Sequence, residues 1–375
     1  MRNPGMQRFK SMIQLGLFCA AAAVASAQTI TSFEVAGSGT GGAQGTQVFN
    51  INSAGTMVGA YKDSSSLYHA FIRTSAGVDT VFDDPNGVGT LATGINTAGV
   101  VSGAYGDSGG VAHGIVRATD GTLTEFDAAR AGTSKGEGTF PRGINAGGRI
   151  VGNYYDSRGV SHGFVRNPST GKIAEFSAAG AGTSKGQGTF MSFEGIPLLL
   201  NNGPLINTAG ASVGYYVDGI GAYHGFVRAA NGTITEFDAT GAGTAKSEGT
   251  VASGINATGT IVGSYRDSGR VWHGFIRATD GTITEFDATT GGTGTLAFGI
   301  NDSGAVCGVF GNTSINAAEG FVRAADGTFT TFVAPDAGNK GNGQGTYPLV
   351  VNDAGDVVGF VLDDTQAFHG FVRTP

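Results

Sequence analysis

Short runs rich in Val, Ile, Thr, Phe and Tyr recur between Gly, Asn and Asp residues, as in Thr260-Ile261-Val262-Gly263 and Thr282-Ile283-Thr284-Glu285-Phe286. No segment repeats its apolar positions at the three-and-four spacing of a helix, so the pattern predicts strands and turns throughout. The punctuation is itself periodic. Asn followed three residues later by Gly occurs at Asn52/Gly55, Asn96/Gly99, Asn145/Gly148, Asn207/Gly210, Asn256/Gly259, Asn301/Gly304 and Asn352/Gly355, seven copies with a mean spacing of 50 residues.

Each copy parses into four strands. An Asn-x-x-Gly type I turn joins the first strand to the second, and Asp-Gly, as at Asp280-Gly281, predicts a two-residue hairpin joining the third to the fourth. That hairpin places Phe275 opposite Phe286. The same register pairs Phe71 with Phe82, Ile115 with Phe126, Phe226 with Phe237 and Phe321 with Phe332, while Asn167 to Gly171 is one residue longer in the third copy. Four-stranded units of this length, repeated seven times, predict an all-β, seven-bladed β-propeller rather than an open β-helix, whose rungs are about half as long.

The two chain ends complement each other. The last copy stops at His369-Gly370-Phe371-Val372-Arg373-Thr374-Pro375 without a fourth strand, and Thr29-Ile30-Thr31-Ser32-Phe33-Glu34 matches the missing pattern. A ring closed by the N-terminal strand, which completes the last blade, is the expectation. Residues 28–375 then form one domain.

The first 27 residues read differently. Arg2, Arg8 and Lys10 precede an apolar run that ends in Ala25-Ser26-Ala27, the order of a secretory signal peptide cleaved near Ala27. Cys19 lies in that leader without a lipoprotein motif, so no lipid anchor and no membrane insertion are expected. Loss of the leader leaves 19 basic against 29 acidic residues, a net charge of −10, which disfavours nucleic acid as a partner. Only Cys307 remains, so no intramolecular disulfide forms. A secreted protein, extracellular or periplasmic, is expected. With 67 Gly but 9 Pro and 40% apolar residues, the composition is neither collagenous nor disordered.

His69-Ala70-Phe71 and the His-Gly-Phe triplets at His162, His224, His273 and His369, each preceded by an Asn-x-x-Gly segment, resemble the HAF repeat family of bacterial extracellular proteins. The resemblance spans residues 28–375. It implies secretion and a repeat fold, and it supplies no catalytic residue.

All six His residues occupy one strand position, His69, His113, His162, His224, His273 and His369, and an Asp stands six residues before each: Asp63, Asp107, Asp156, Asp218, Asp267 and Asp363. One His per blade cannot converge on a shared metal, so a structural Asp–His hydrogen bond is preferred over a catalytic or zinc site. The sixth copy has Glu319 at the His position and lacks the Asp, carrying Asn312 seven residues earlier. Arg73, Arg117, Arg166, Arg228, Arg277, Arg323 and Arg373 end the third strands and are assigned to inter-blade ion pairs or stacking on Phe rather than to an anion site. Connectors such as Ala131 to Thr139 and Ala181 to Thr189 lack the ending of a phosphate loop and read as crossovers. Asp-x-Asp-x-Asp calcium loops are absent as well, and no metal or cofactor is expected.

Function is expected where the repeats diverge. The fourth copy holds twelve extra residues, with Phe193, Glu194, Leu198, Leu199 and Leu200 on a loop that forms a binding surface or a plug over the channel, the plug preferred. Trp272, the one Trp, falls at a blade interface, and Arg142 on a first strand can reach the channel. These residues make up the candidate ligand site. A secreted, non-enzymatic scaffold, monomeric, that binds a protein or glycan is preferred; a propeller hydrolase or lyase acting on an extracellular polymer, and a structural or adhesive cell-surface protein, are the alternatives.

Overall fold

The computed structural model describes residues 28–193, 203–288, 294–311, 317–341 and 343–375. They form an all-β chain of strands numbered in order from β1 (Thr29–Phe33) to β28 (Phe368–Thr374), with no helix among the described residues. Consecutive strands pair antiparallel as four-stranded meanders. The fifth copy of the repeat supplies one of them: β18 (Gly249–Ile255), β19 (Ile261–Arg266), β20 (Trp272–Arg277) and β21 (Ile283–Phe286). β1 is paired by the last strand of the chain: Ile30 lies opposite Arg373 and Ser32 opposite Phe371.

The Asn turns form as their sequence dictates. The Asn52 side-chain oxygen accepts the N–H groups of Ala54 and Thr56, and Gly55, at φ +76°, takes the left-handed conformation that closes the turn. The amide end of the same side chain reaches the neighbouring unit. Asn52 donates to the backbone carbonyl of Asn96, Asn145 to Asn207, Asn207 to Asn256, Asn256 to Asn301, Asn301 to Asn352 and Asn352 to Asn52, at 2.9 to 3.2 Å. One residue type thus caps its own turn and couples two units.

The third-to-fourth hairpin departs from expectation by one residue. Gly281 donates to the Ala278 carbonyl and Ala278 to the Thr282 carbonyl, so the loop is a type I turn followed by Gly281 at φ +94°, three residues rather than two. Phe275 consequently faces Glu285, and Phe286 faces Gly274. The same correction holds for Phe71 (opposite Val81), Ile115 (Glu125), Phe226 (Glu236) and Phe321 (Thr331).

A slip of one residue exchanges the faces of a strand, so the two Phe residues of one unit do not pair with each other. They pair between units. Phe237 meets Phe275 at 6.0 Å, Phe286 meets Phe321 at 6.3 Å and Phe332 meets Phe371 at 6.0 Å, in edge-to-face geometry. Phe71, Phe226, Phe275, Phe321 and Phe371 are fully buried. The Gly of His-Gly-Phe makes room for the outer-strand ring: a Cβ on Gly274 would stand 2.5 Å from Phe286, while the first copy places Ala70 opposite Phe82.

The arginines follow the same rule. Each of the seven lays its guanidinium over a Phe of the preceding outer strand, from Arg73 over Phe33 at 4.1 Å to Arg373 over Phe332 at 5.4 Å. Phe33 belongs to β1. Each unit therefore finishes the packing of its neighbour.

Candidate functional site

The repeated histidines sit at the start of the third strands, each stacked on a Tyr of the second strand where one is present, as Tyr265 on His273 at 4.9 Å. The Nε2 side of the ring faces the expected Asp: 3.5 Å for His69–Asp63, His224–Asp218 and His273–Asp267, 3.4 Å for His162–Asp156, 3.2 Å for His369–Asp363 and a looser 3.7 Å for His113–Asp107. The other Asp oxygen accepts turn N–H groups, such as those of Ser65 and Leu67 on Asp63. The Asp thus ties the second-to-third turn to the next strand.

Sequence reasoning missed the partner on the other side. Nδ1 contacts Asp83, Asp127, Ser177, Asp238, Asp287 or Glu34, the residue after the outer-strand Phe, at 2.5 to 3.0 Å. The recurring Phe-Asp ending was the available signal. Burial disfavours charge on the His69 and His113 rings, yet the flanking carboxylates outweigh it and raise both pKa values. For His369 the Glu34 carboxylate dominates, burial opposes it, and Asp363 adds to it, raising the pKa to about 9. Glu319, at the sixth position, is exposed. Among the described residues no group of three or more His, Cys, Asp or Glu is placed to hold a metal ion.

Recesses of two kinds lie among the described residues. The first, a cavity of about 190 Å³, is lined by all seven turn asparagines together with Pro204 and Leu205, and Ile255 donates to the Pro204 carbonyl at 2.8 Å. The second, of about 590 Å³, opens beside the fourth copy. Its aromatic lining comes from strands of two consecutive copies: Tyr155 on β11 (Ile150–Tyr155), Phe190 on β14 (Gly188–Phe190), Tyr215 on β15 (Ser212–Val217) and Tyr223 on β16 (Tyr223–Arg228).

Phe190 and Tyr215 lie directly opposite each other in the ladder and stack at 5.1 Å, and Tyr223 stands edge-on to Tyr215 at 5.7 Å. Phe190 and Tyr215 are buried; Tyr155 and Tyr223 are half-buried. Lys185, Gln187 and Lys246 reach the cavity from two of the connectors expected to be simple crossovers, and Ile220 is exposed on a turn beside them.

Of the candidate ligand residues, Phe193 and Trp272 come together behind this cavity. Their rings are 5.2 Å apart, and Phe193 also meets Tyr215 and Tyr223. Arg266 covers Trp272 at 5.9 Å. Arg142 is buried on β10 (Gly138–Ile144), with its guanidinium 5.5 Å from the Phe140 ring and its Nε 3.3 Å from the Asn153 side-chain oxygen. Glu194, Leu198, Leu199 and Leu200 lie outside the described residues. Tyr155, Tyr215, Tyr223, Lys185 and Lys246 were not singled out by sequence, although each stands at a repeat position whose occupants vary.

No family model matches the chain, and no curated protein matches it. Solved structures do. Virginiamycin B lyase from Staphylococcus aureus is similar with a TM-score of 0.55 and 12% identity over 93% of this chain and 99% of that one. A catalytically inactive variant of that lyase with quinupristin gives 0.54 at 13% identity, over 93% and 99%. The BP39L lectin from Burkholderia pseudomallei gives 0.54 at 9% identity, over 86% and 94%. At such identities the likeness speaks to architecture. The chain has a β-propeller fold.

Proposed function

We propose that this chain is a secreted, seven-bladed propeller of the HAF repeat type, closed by β1 on β28, that acts as a non-enzymatic scaffold binding a glycan in the aromatic cavity beside the fourth copy. The fold hosts both a lyase and a lectin among its structural neighbours, so the choice rests on the site. One observation carries the proposal: four aromatic rings converge on one 590 Å³ recess with the polar side chains of Lys185, Gln187, Lys246 and Ser247.

Pyranose rings present an apolar C–H face to aromatic side chains and hydroxyls to polar ones, and the cavity offers both. Its volume falls within the roughly 300–1,000 Å³ common for small-ligand sites. The Asp–His–Asp arrangements serve the scaffold by holding turns against strands, and the propeller closure supports the same role. The proposal is tested by glycan-array binding of the purified protein, with Tyr223→Ala as the control. Binding lost in that variant supports it; binding only to a protein partner, or turnover of a polysaccharide, overturns it.

A further inference from the structure

The charge around the aromatic cavity is opposite to that of the chain. The sequence carries a net charge of −7, yet the described residues lining the cavity include Lys185 and Lys246 and no carboxylate. Both lysines are exposed, and their stems lie over glycines of the preceding turns, Lys185 over Gly159 and Lys246 over Gly221. Neither has a carboxylate within ion-pairing distance among the described residues.

The connectors share one device, a side chain that caps its own loop. Glu137 and Glu248 fold back to accept the N–H of their own loops, from Ser134 and Ala245. Gln187 does this for Ser184 and spends its amide on the Gly219 carbonyl, as Gln44 does for Gly41 and Ser64, so of the two connectors at the cavity the one carrying Lys185 is held without a negative charge and the one carrying Lys246 holds Glu248 against its own backbone. Arg266 extends the basic side, donating to the Ser247 carbonyl at 3.3 Å beside Lys246.

We infer that the ligand of this site is an acidic saccharide, a sugar bearing a carboxylate or sulfate. The inference rests on the glycan-binding proposal and narrows it. The sugar ring stacks on Tyr223 and Tyr155, and the anionic substituent lies between Lys185 and Lys246. A compact ammonium on a flexible stem suits an anion whose position varies from one sugar to another.

The test is a glycan array carrying uronic-acid, sialylated, sulfated and neutral saccharides, probed with the wild-type chain and with Lys185→Gln, Lys246→Gln and Tyr223→Ala. Hits confined to the acidic members are expected. Each lysine change should weaken them about tenfold, the scale of one charge-assisted hydrogen bond. Rising salt should weaken the wild type and leave a variant combining Lys185→Gln with Lys246→Gln nearly unaffected. Neutral hits that survive both lysine changes and vanish in Tyr223→Ala would overturn the charge selectivity and keep the carbohydrate site. No hits of either kind would overturn the carbohydrate site as well.

Discussion

The Asn352 side chain donates to the backbone carbonyl of Asn52, 3.2 Å away and 300 residues earlier in the chain. The same two ends meet again where β1 pairs with β28 and where Arg73 stacks on Phe33. The ladder and the aromatic stack depend on the first strand, and the Asn352–Asn52 bond joins the same region through the turn that follows the second.

Deletion of residues 28–35 should therefore lower the melting temperature by roughly 10 °C, since several kcal/mol of ladder and packing energy go with it. A synthetic peptide of those residues, added in excess, should recover part of the loss. Thermal scans of the truncated protein with and without the peptide check this; an unchanged melting curve after deletion argues against ring closure.

Gly274→Ala puts a methyl group 2.5 Å from the Phe286 ring and should cost about 1–3 kcal/mol through overpacking. Gly219→Ala is the matched control, because a Cβ there meets nothing within 4 Å. Urea unfolding should separate the two. Equal midpoints would show that the corrected hairpin register does not govern this packing.

Arg277→Lys keeps the charge and loses the planar face that covers Phe237 at 4.8 Å. A loss of about 0.5–2 kcal/mol is expected. The Arg277→Met variant, which restores apolar cover without charge, should recover most of the loss if stacking area dominates and little if the cation does. Denaturant melts of the three proteins give the answer.

The pH dependence has a definite sign. His369 has its pKa raised to about 9 in the folded chain, above the ordinary value of about 6.5 that it takes on unfolding. Its stabilising contribution is complete below about pH 6.5 and fades as pH rises through about 9. The raised His69 and His113 act in the same direction. Melting temperature should fall from pH 6.5 to 9.5 in the wild type and fall less in His369→Gln. Parallel slopes would show that Glu34 and Asp363 do not hold a proton on this ring.

Much of the architecture was legible because local chemistry repeats. Asn256 and Gly259 announce their turn, and Thr29 to Glu34 announces the strand missing from the last copy. The hairpin register was not legible, because Asp280-Gly281 suits a two-residue loop and equally the end of a three-residue one. The choice between them falls to packing, with Phe286 seated over Gly274 and against Phe321.

The Asp–His proximity was visible as a constant spacing. Asp287, on the far side of His273, was hidden by the turn in between, although it recurs in most copies. The aromatic cavity was the least legible part. Tyr155, Phe190, Tyr215 and Tyr223 are spread over nearly seventy residues, and Lys185 and Lys246 sit in loops that look generic. The pairing of β14 with β15 and the packing of Tyr155 against Phe190 gather the rings.

The Phe and Arg contacts between successive copies mean that no single repeat is an autonomous folding module. A copy excised from this chain would leave with a ring that belongs under its neighbour's guanidinium and would arrive without the ring its own arginine covers. Evolutionary gain or loss of a repeat is correspondingly cheap in sequence, since every junction uses the same parts, and demanding in assembly, since each intermediate exposes raw faces until the next copy packs against it.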